Sequence, residues 1–133
     1  MYSDLLKKAA EAREKSHADY SGFYVGAALL TSSGKIYTGC NIENLSYSLT
    51  ICAERTAFFK AVSEGESSFK AIAVVGAVKD TDCMKEQCFP CGACLQVMNE
   101  FCTKDFEVVL SENGTEKVYM LEELMPFAFS SQF

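Results

Sequence analysis

The chain has 133 residues, 49% of them hydrophobic, with 12 basic against 18 acidic side chains and a formal net charge of −6. That apolar share supplies the core of one domain spanning 1–133 and excludes a disordered chain. No block of Lys and Arg stands out, so a surface tracking nucleic-acid phosphates is disfavoured, and a small-molecule or protein partner fits better.

The N-terminal segment is amphipathic and lacks the apolar centre of a signal peptide. Leu5, Leu6, Ala9, Ala10 and Ala12 carry a helical period that should end near Lys15 to His17. Residues 24–31 read as a buried strand, 32–35 as a turn, and 36–40 as the returning arm of a hairpin. Residues 41–50 read as irregular polar loop. A second helix is expected over 51–62, stopping at Glu64-Gly65. Residues 71–78 form a continuous apolar run, as in a central strand covered on both faces. After the polar stretch 79–89, Pro90 marks a helix start, and Leu95, Val97, Met98 and Phe101 carry the third helix. A strand over 106–110, a turn at Asn113-Gly114, a strand over 117–120 and a short helix over 121–125 complete the chain. No stretch approaches the roughly 20 apolar residues of a membrane span. The expected architecture is α/β: a three-layer α-β-α sandwich around a mixed, roughly five-stranded sheet.

Cys52-Ala53-Glu54-Arg55 and Pro90-Cys91-Gly92-Ala93-Cys94 hold the chemistry. The cysteines number seven, an odd count, and the clustered ones stand in a C-x-x-C, so reduced thiols and metal binding in a cytoplasmic protein fit better than a disulfide framework. Cys52, Cys91 and Cys94 can hold one zinc ion on three sides and leave the fourth open, as catalytic rather than structural zinc sites do. Cys52 and Cys91 are expected in the first turns of their helices, where unpaired N–H groups and the positive dipole end favour thiolates. Three thiolates leave the site with a formal charge of about −1 by ligand count. Arg55 can hydrogen-bond the sulfurs and offset that excess. Glu54, two residues after a ligand, is placed to move protons for an activated water. Alternatives remain open: Cys88 or Cys83 could close a four-thiol structural site, a C-x-x-C can be a redox dithiol, and a glutamate can be an ordinary solvated helix residue. Cys83 and Cys88 are expected in an exposed loop, Cys102 in the core, and His17 at the surface near a helix end.

The chain resembles the small, homotetrameric cytidine deaminases nearly end to end. Besides the two cysteine segments, the likeness is carried by residues 20–29, by Gly39-Cys40-Asn41-Ile42-Glu43-Asn44, by Ala53-Glu54-Arg55-Thr56-Ala57 and by residues 122–126. The resemblance implies hydrolytic deamination of cytidine and 2′-deoxycytidine, with a zinc-activated hydroxide attacking the pyrimidine C4 and Glu54 shuttling protons to N3 and the leaving amine. It implies one zinc per subunit, a nucleoside substrate and a homotetramer serving pyrimidine salvage, without nucleic-acid or membrane partners. By the same resemblance Asn41 and Glu43 hold the ribose, Phe23 packs on the base, and Ala53 lies among the substrate contacts. Tyr47 and Phe129 match positions that reach into a neighbouring subunit's site. An amide and a carboxylate suit hydroxyl groups, and the carboxylate would repel a phosphate.

Several positions depart from the family pattern. Leu95 follows Cys94 where an arginine is usual, which removes a positive charge and leaves Arg55 as the compensator. Leu45 stands where a smaller residue is common, residues 81–89 bring extra cysteines, and Phe127 adds an aromatic to the tail. Two other readings compete: a related deaminase acting on a nucleoside antibiotic of the blasticidin type, which Asn41 and Glu43 disfavour, and a noncatalytic zinc-binding module with a closed ligand shell.

Overall fold

The computed structural model of the protein describes residues 1–130, so the last three residues of the expected 1–133 domain lie outside the described residues. In chain order the elements are α1 (Ser3–Arg13), β1 (Phe23–Thr31), β2 (Ile36–Cys40), a 3₁₀ turn (Tyr47–Leu49), α2 (Ala53–Ser63), β3 (Phe69–Val78), α3 (Gly92–Phe101), β4 (Glu107–Glu112), β5 (Thr115–Met120) and α4 (Leu121–Leu124). The strands form one sheet in the order β2-β1-β3-β4-β5. Within this sheet β3 and β4 pair in parallel, joined by the crossover through α3, while the other neighbours run antiparallel. The expected mixed five-stranded sheet with helices on both faces is what forms.

Alternation along the central strands divides the core in two. Ala28 of β1, Ala71, Ala73 and Val75 of β3 and Val109 of β4 face one side with Leu5, Leu6 and Ala9 of α1. Ala27, Leu29, Ile72, Val74, Val108 and Leu110 face the other, against Ala57, Phe58, Ala61 and Met98 of α2 and α3. The continuous apolar run of β3 is therefore required by burial on both faces. Small residues predominate under α1 because that helix lies close on the sheet: a Cβ on Gly26 would stand 1.9 Å from the Ala9 carbonyl oxygen. On the opposite face Phe58 is fully buried, with ring centroids 5.3 Å from Phe69 and 6.0 Å from Phe106.

Boundaries differ from the sequence expectation where tertiary contacts intervene. Helix α1 ends at Arg13, after which Glu14, Lys15 and Ser16 bond three residues back and His17 leaves to pair with Ile42. Arg13 is buried, and its guanidinium donates to the carbonyls of Tyr24, Ala77 and Val78 at the ends of β1 and β3. Strand β3 starts earlier than the apolar run because Phe69 packs inward across the exposed Lys70. The polar Thr115 and Glu116 belong to β5, an edge strand, and the β4–β5 turn is the two-residue Asn113-Gly114 with both φ angles positive, as a type I′ hairpin needs. Loop 41–50 is more ordered than its composition suggests: it contains the 3₁₀ turn, and Ile42 bridges Ile51 through two main-chain bonds.

Candidate active site

The two cysteine segments come from helices that start on the same face of the sheet. Cys52 and Cys91 are the N-cap residues of α2 and α3, outside the helices rather than in their first turns, and Cys94 lies in the first turn of α3. Pro90 accordingly precedes the α3 cap instead of opening the helix; its ring fixes the approach of the chain while Cys91 takes the extended backbone of an N-cap. The thiols remain beside unpaired helix N–H groups, so the electrostatic argument survives the shift in position.

The sulfurs of Cys52, Cys91 and Cys94 lie within 4.8 Å of one another, with Cys52 and Cys91 separated by 3.8 Å. A Zn–S bond of about 2.3 Å and tetrahedral angles require sulfurs about 3.8 Å apart, so the cluster fits zinc. Cys94 is buried, Cys52 half-buried and Cys91 exposed. Arg55 Nη2 donates to Cys52 Sγ at 3.2 Å, whereas its Nε is buried with no hydrogen-bond partner among the described residues. Hydrogen bonding from Cys94, reinforced by Arg55, pulls the Cys52 thiol down to about 5 against the opposing effect of burial. Cys94 is displaced upward, because it holds the proton shared with Cys52 and is itself buried. Contact with Cys52 in turn pushes the Arg55 guanidinium up.

Glu54 is 4% exposed, and burial pushes its carboxyl up to about 7, with the Cys52 charge adding and Arg55 opposing. It is a core-facing carboxyl rather than a solvated helix residue. Ala53, at the first position of α2, is fully buried beside it. Cys83 and Cys88 are not the exposed loop thiols the composition suggests. Cys83 packs under α1, and Cys88 sits against Gly76, Val25 and Phe23 with its thiol pushed up to about 12 by burial and by the nearby charges of Glu54 and Cys52. The loop 79–89 folds inward because the sheet offers it apolar surface, a tertiary effect invisible in a polar segment. The three-sulfur cluster includes neither cysteine. Cys102 is half-buried and packs against the main core. Leu95 also packs there, so an apolar contact occupies the position where an arginine was the family expectation.

Phe23, Asn41 and Glu43 lie at or just beyond the ends of β1 and β2, Tyr47 in the 3₁₀ turn and Phe129 after α4. Asn41 is buried: its Oδ1 accepts from Val25 N at 3.0 Å and its Nδ2 donates to the Phe23 carbonyl at 2.9 Å. Its amide thus spends two of its bonds on the start of β1. The Glu43 carboxylate accepts from the main-chain N–H and hydroxyl of Ser21. Glu43, Tyr20, Asn44, Tyr47 and Thr50 line a cavity of about 370 Å³. Phe23, 40% exposed, lines a separate cavity of about 430 Å³ with Gly76 and Cys88. Tyr47 is 76% exposed and meets the Tyr20 ring edge-on at 6.5 Å. Phe129 is exposed, with its carbonyl accepting from Gln96 and Asn99 of α3. Sequence reasoning missed the supporting roles of Ser21, which holds Glu43, and of His17, whose main chain bonds Asn41 and Glu43. It weighed Cys88 only as a possible fourth metal thiol or an exposed loop thiol, and did not foresee its packing against Gly76.

Residues 1–110 match the family model described as the cytidine and deoxycytidylate deaminase zinc-binding region. The chain belongs to this family. It is 50% identical over 129 residues to the cytidine deaminase of Sporosarcina psychrophila, covering 96% of this chain and 90% of the relative. Among solved structures it is similar to the cytidine deaminase from Burkholderia pseudomallei, with a TM-score of 0.87, 46% identity and coverage of 97% and 99% of the two chains. The blasticidin-S deaminase of Bacillus cereus is a more distant relative, 31% identical over 129 residues, which are 96% of this chain and 91% of that protein. The zinc named in the family description agrees with what three converging sulfurs can hold.

Proposed function

We propose that residues 1–133 act as one domain that deaminates cytidine and 2′-deoxycytidine hydrolytically to uridine and 2′-deoxyuridine, releasing ammonia. The observation that carries this reading is a buried carboxyl, Glu54, two residues from Cys52 in a cluster that among the described residues holds the three sulfurs of Cys52, Cys91 and Cys94. Zinc held by Cys52, Cys91 and Cys94 supplies Lewis-acid activation of water. Glu54 takes a proton from the attacking water and delivers it to N3 of the base, then carries the proton of the hydroxyl added at C4 to the departing amine as the C4 carbonyl forms. Its burial keeps bulk water from competing for those protons. Arg55 stabilises the electron-rich sulfur cluster through Cys52. Phe23 offers a ring face to the pyrimidine, and Ala53 forms the wall beside Glu54.

Glu43, held in place by Ser21, accepts from a ribose hydroxyl and repels the phosphate of a nucleotide. Asn41 fixes the start of β1, where Phe23 stands, and retains an amide hydrogen and a lone pair for the sugar. The cavities lined by Glu43 and by Phe23 are separate within one chain. Leu45, Tyr47 and Leu49 are exposed in one loop segment, and Tyr47 lines the first of those cavities. Apolar side chains exposed together mark an interaction surface, which supports a homotetramer in which Tyr47 and Phe129 complete a neighbour's site. Free cysteines suit a reducing compartment and support a cytoplasmic enzyme, and a free-nucleoside substrate suits pyrimidine salvage.

The decisive experiment offers zinc-loaded protein cytidine, deoxycytidine, cytosine, CMP and blasticidin S side by side. Both nucleosides should be converted, while cytosine, CMP and the antibiotic should not. Glu54→Gln should keep a full zinc complement and lose the ultraviolet-detected conversion of cytidine. Undiminished turnover in that variant would refute the assignment of Glu54.

A further inference from the structure

Of the three sulfur-bearing residues, Cys91 is the least held by its own surroundings. Cys94 is buried inside α3, and Cys52 accepts a hydrogen bond from Arg55. Cys91 is exposed and caps α3 without a side-chain cap bond; its carbonyl accepts from Leu95 N at 3.0 Å and its sulfur meets Cys52 Sγ at 3.8 Å, so the chain that leads to it is the remaining constraint on its position. Among the described residues, 86–90 make no main-chain bonds to other main-chain groups. Upstream, the tip of the β4–β5 hairpin holds the loop: Met84 O accepts from Ser111 Oγ and Gly114 N, and Lys85 O accepts from Asn113 N. Closer to Cys91, Cys88 packs against the core and Pro90 is buried, and Tyr119 holds the two residues that flank Cys88. Tyr119 Oη donates to Gln87 Oε1 at 2.6 Å, and its ring meets that of Phe89 at 5.4 Å. Tyr119 is itself fixed by β5, where it pairs with Val108 of β4.

We propose that Tyr119 is a positioning residue for the metal centre, clamping Gln87 and Phe89 to the sheet and so setting where Cys91 stands. The proposal deepens the reading above and rests on Cys91 being a zinc ligand. A metal site binds tightly when its ligands are already oriented before the ion arrives. Releasing the clamp leaves Cys91 to be ordered by zinc itself, which weakens retention of the metal without touching the substrate.

The test is the rate at which zinc-loaded protein loses zinc to a chromogenic chelator at fixed temperature. Tyr119→Phe, which removes only the hydroxyl, should release zinc about 3-fold faster, and Tyr119→Ala about 10-fold faster. Gln87→Ala should match Tyr119→Phe, and the double variant should be no worse than either, because both remove one bond. Reloaded Tyr119→Phe should keep its KM for cytidine. The control is Tyr37→Phe, which loses an equivalent bond to Glu66 near the opposite edge of the sheet and should release zinc like wild type. Wild-type release from both Tyr119 variants, or equal acceleration in Tyr37→Phe, would overturn the proposal. Cys91→Ser in the same assay separates the two readings. Should that variant hold zinc as wild type does, the ligand assignment fails; should it lose zinc while the Tyr119 variants do not, only the clamp fails.

Discussion

Gly39→Ala tests whether the sheet positions the catalytic helix. A Cβ on Gly39 would stand 2.4 Å from the Ala53 carbonyl oxygen, 2.7 Å from Ala57 N and 3.0 Å from Thr56 Cβ. Two of these atoms are α2 main chain, which cannot rotate aside as a side chain can. Restoring ordinary contact requires α2 to retreat by roughly 1 Å, and overpacking of this kind costs about 1–3 kcal/mol. In a domain of this size each kcal/mol lowers Tm by roughly 3–6 °C. Helix α2 carries Cys52 at its cap and Glu54 and Arg55 in its first turn, so the same retreat displaces Glu54, the proposed proton carrier, from the sulfur cluster. A misplacement of about 1 Å can cost on the order of 100-fold in rate. Thermal melts of zinc-loaded protein, paired with cytidine turnover well below the Tm of the variant, measure both effects. A variant with unchanged Tm and unchanged kcat would refute the claim that α2 rests on Gly39.

Gly76→Ala should be milder, because its Cβ would meet side-chain atoms at 2.8 Å (Cys88 Sγ), 3.0 Å (Val25 Cγ2) and 3.1 Å (Phe23 Cε2), which can yield. The expected outcome is a raised KM for cytidine through displacement of Phe23, with zinc content unchanged; an unaltered KM would argue against Phe23 as the base contact. Tyr2→Phe should destabilise the fold in a pH-dependent way. Burial, followed by the hydrogen bond to Glu107, pushes the Tyr2 phenol from 10.0 up to about 12. The folded state therefore favours the protonated phenol, and this contribution is complete below the unfolded pKa of about 10 and lost as pH rises toward 12. Urea midpoints of wild type and Tyr2→Phe should differ most at pH 8 and draw together as pH rises from about 10 through about 12; a constant gap would exclude the Tyr2–Glu107 bond as its source.

Much of the architecture was legible along the chain because its signals are local. The two-sided burial of β3 shows as an unbroken apolar run, the type I′ turn as Asn-Gly, and the helix periods as spaced alanines and leucines. The ends of elements were less legible, since Arg13, Phe69 and Thr115 take their roles from strands remote in sequence. At the site, the types of the donors and their short spacing point to zinc, and the family comparison agrees. The inward turn of Cys88, the engagement of Asn41 by β1 and the burial of Glu54 could not be read from composition, because each depends on what the sheet presents to it.

The sequence by itself determined the donor set: thiols at Cys52, Cys91 and Cys94 with a carboxyl two residues beyond the first, a chemistry set by residue type and short spacing. Only the tertiary structure decided that these groups meet. Cys52 and Cys91 are 39 positions apart, and their sulfurs converge because α2 and α3 begin on one face of the sheet. α2 is seated there by the missing side chain of Gly39, and the chain leading to Cys91 is held against β5 by Tyr119. Spacing can specify which atoms will bind a metal; bringing distant ones to within 4 Å of each other takes the packing of helices on a sheet.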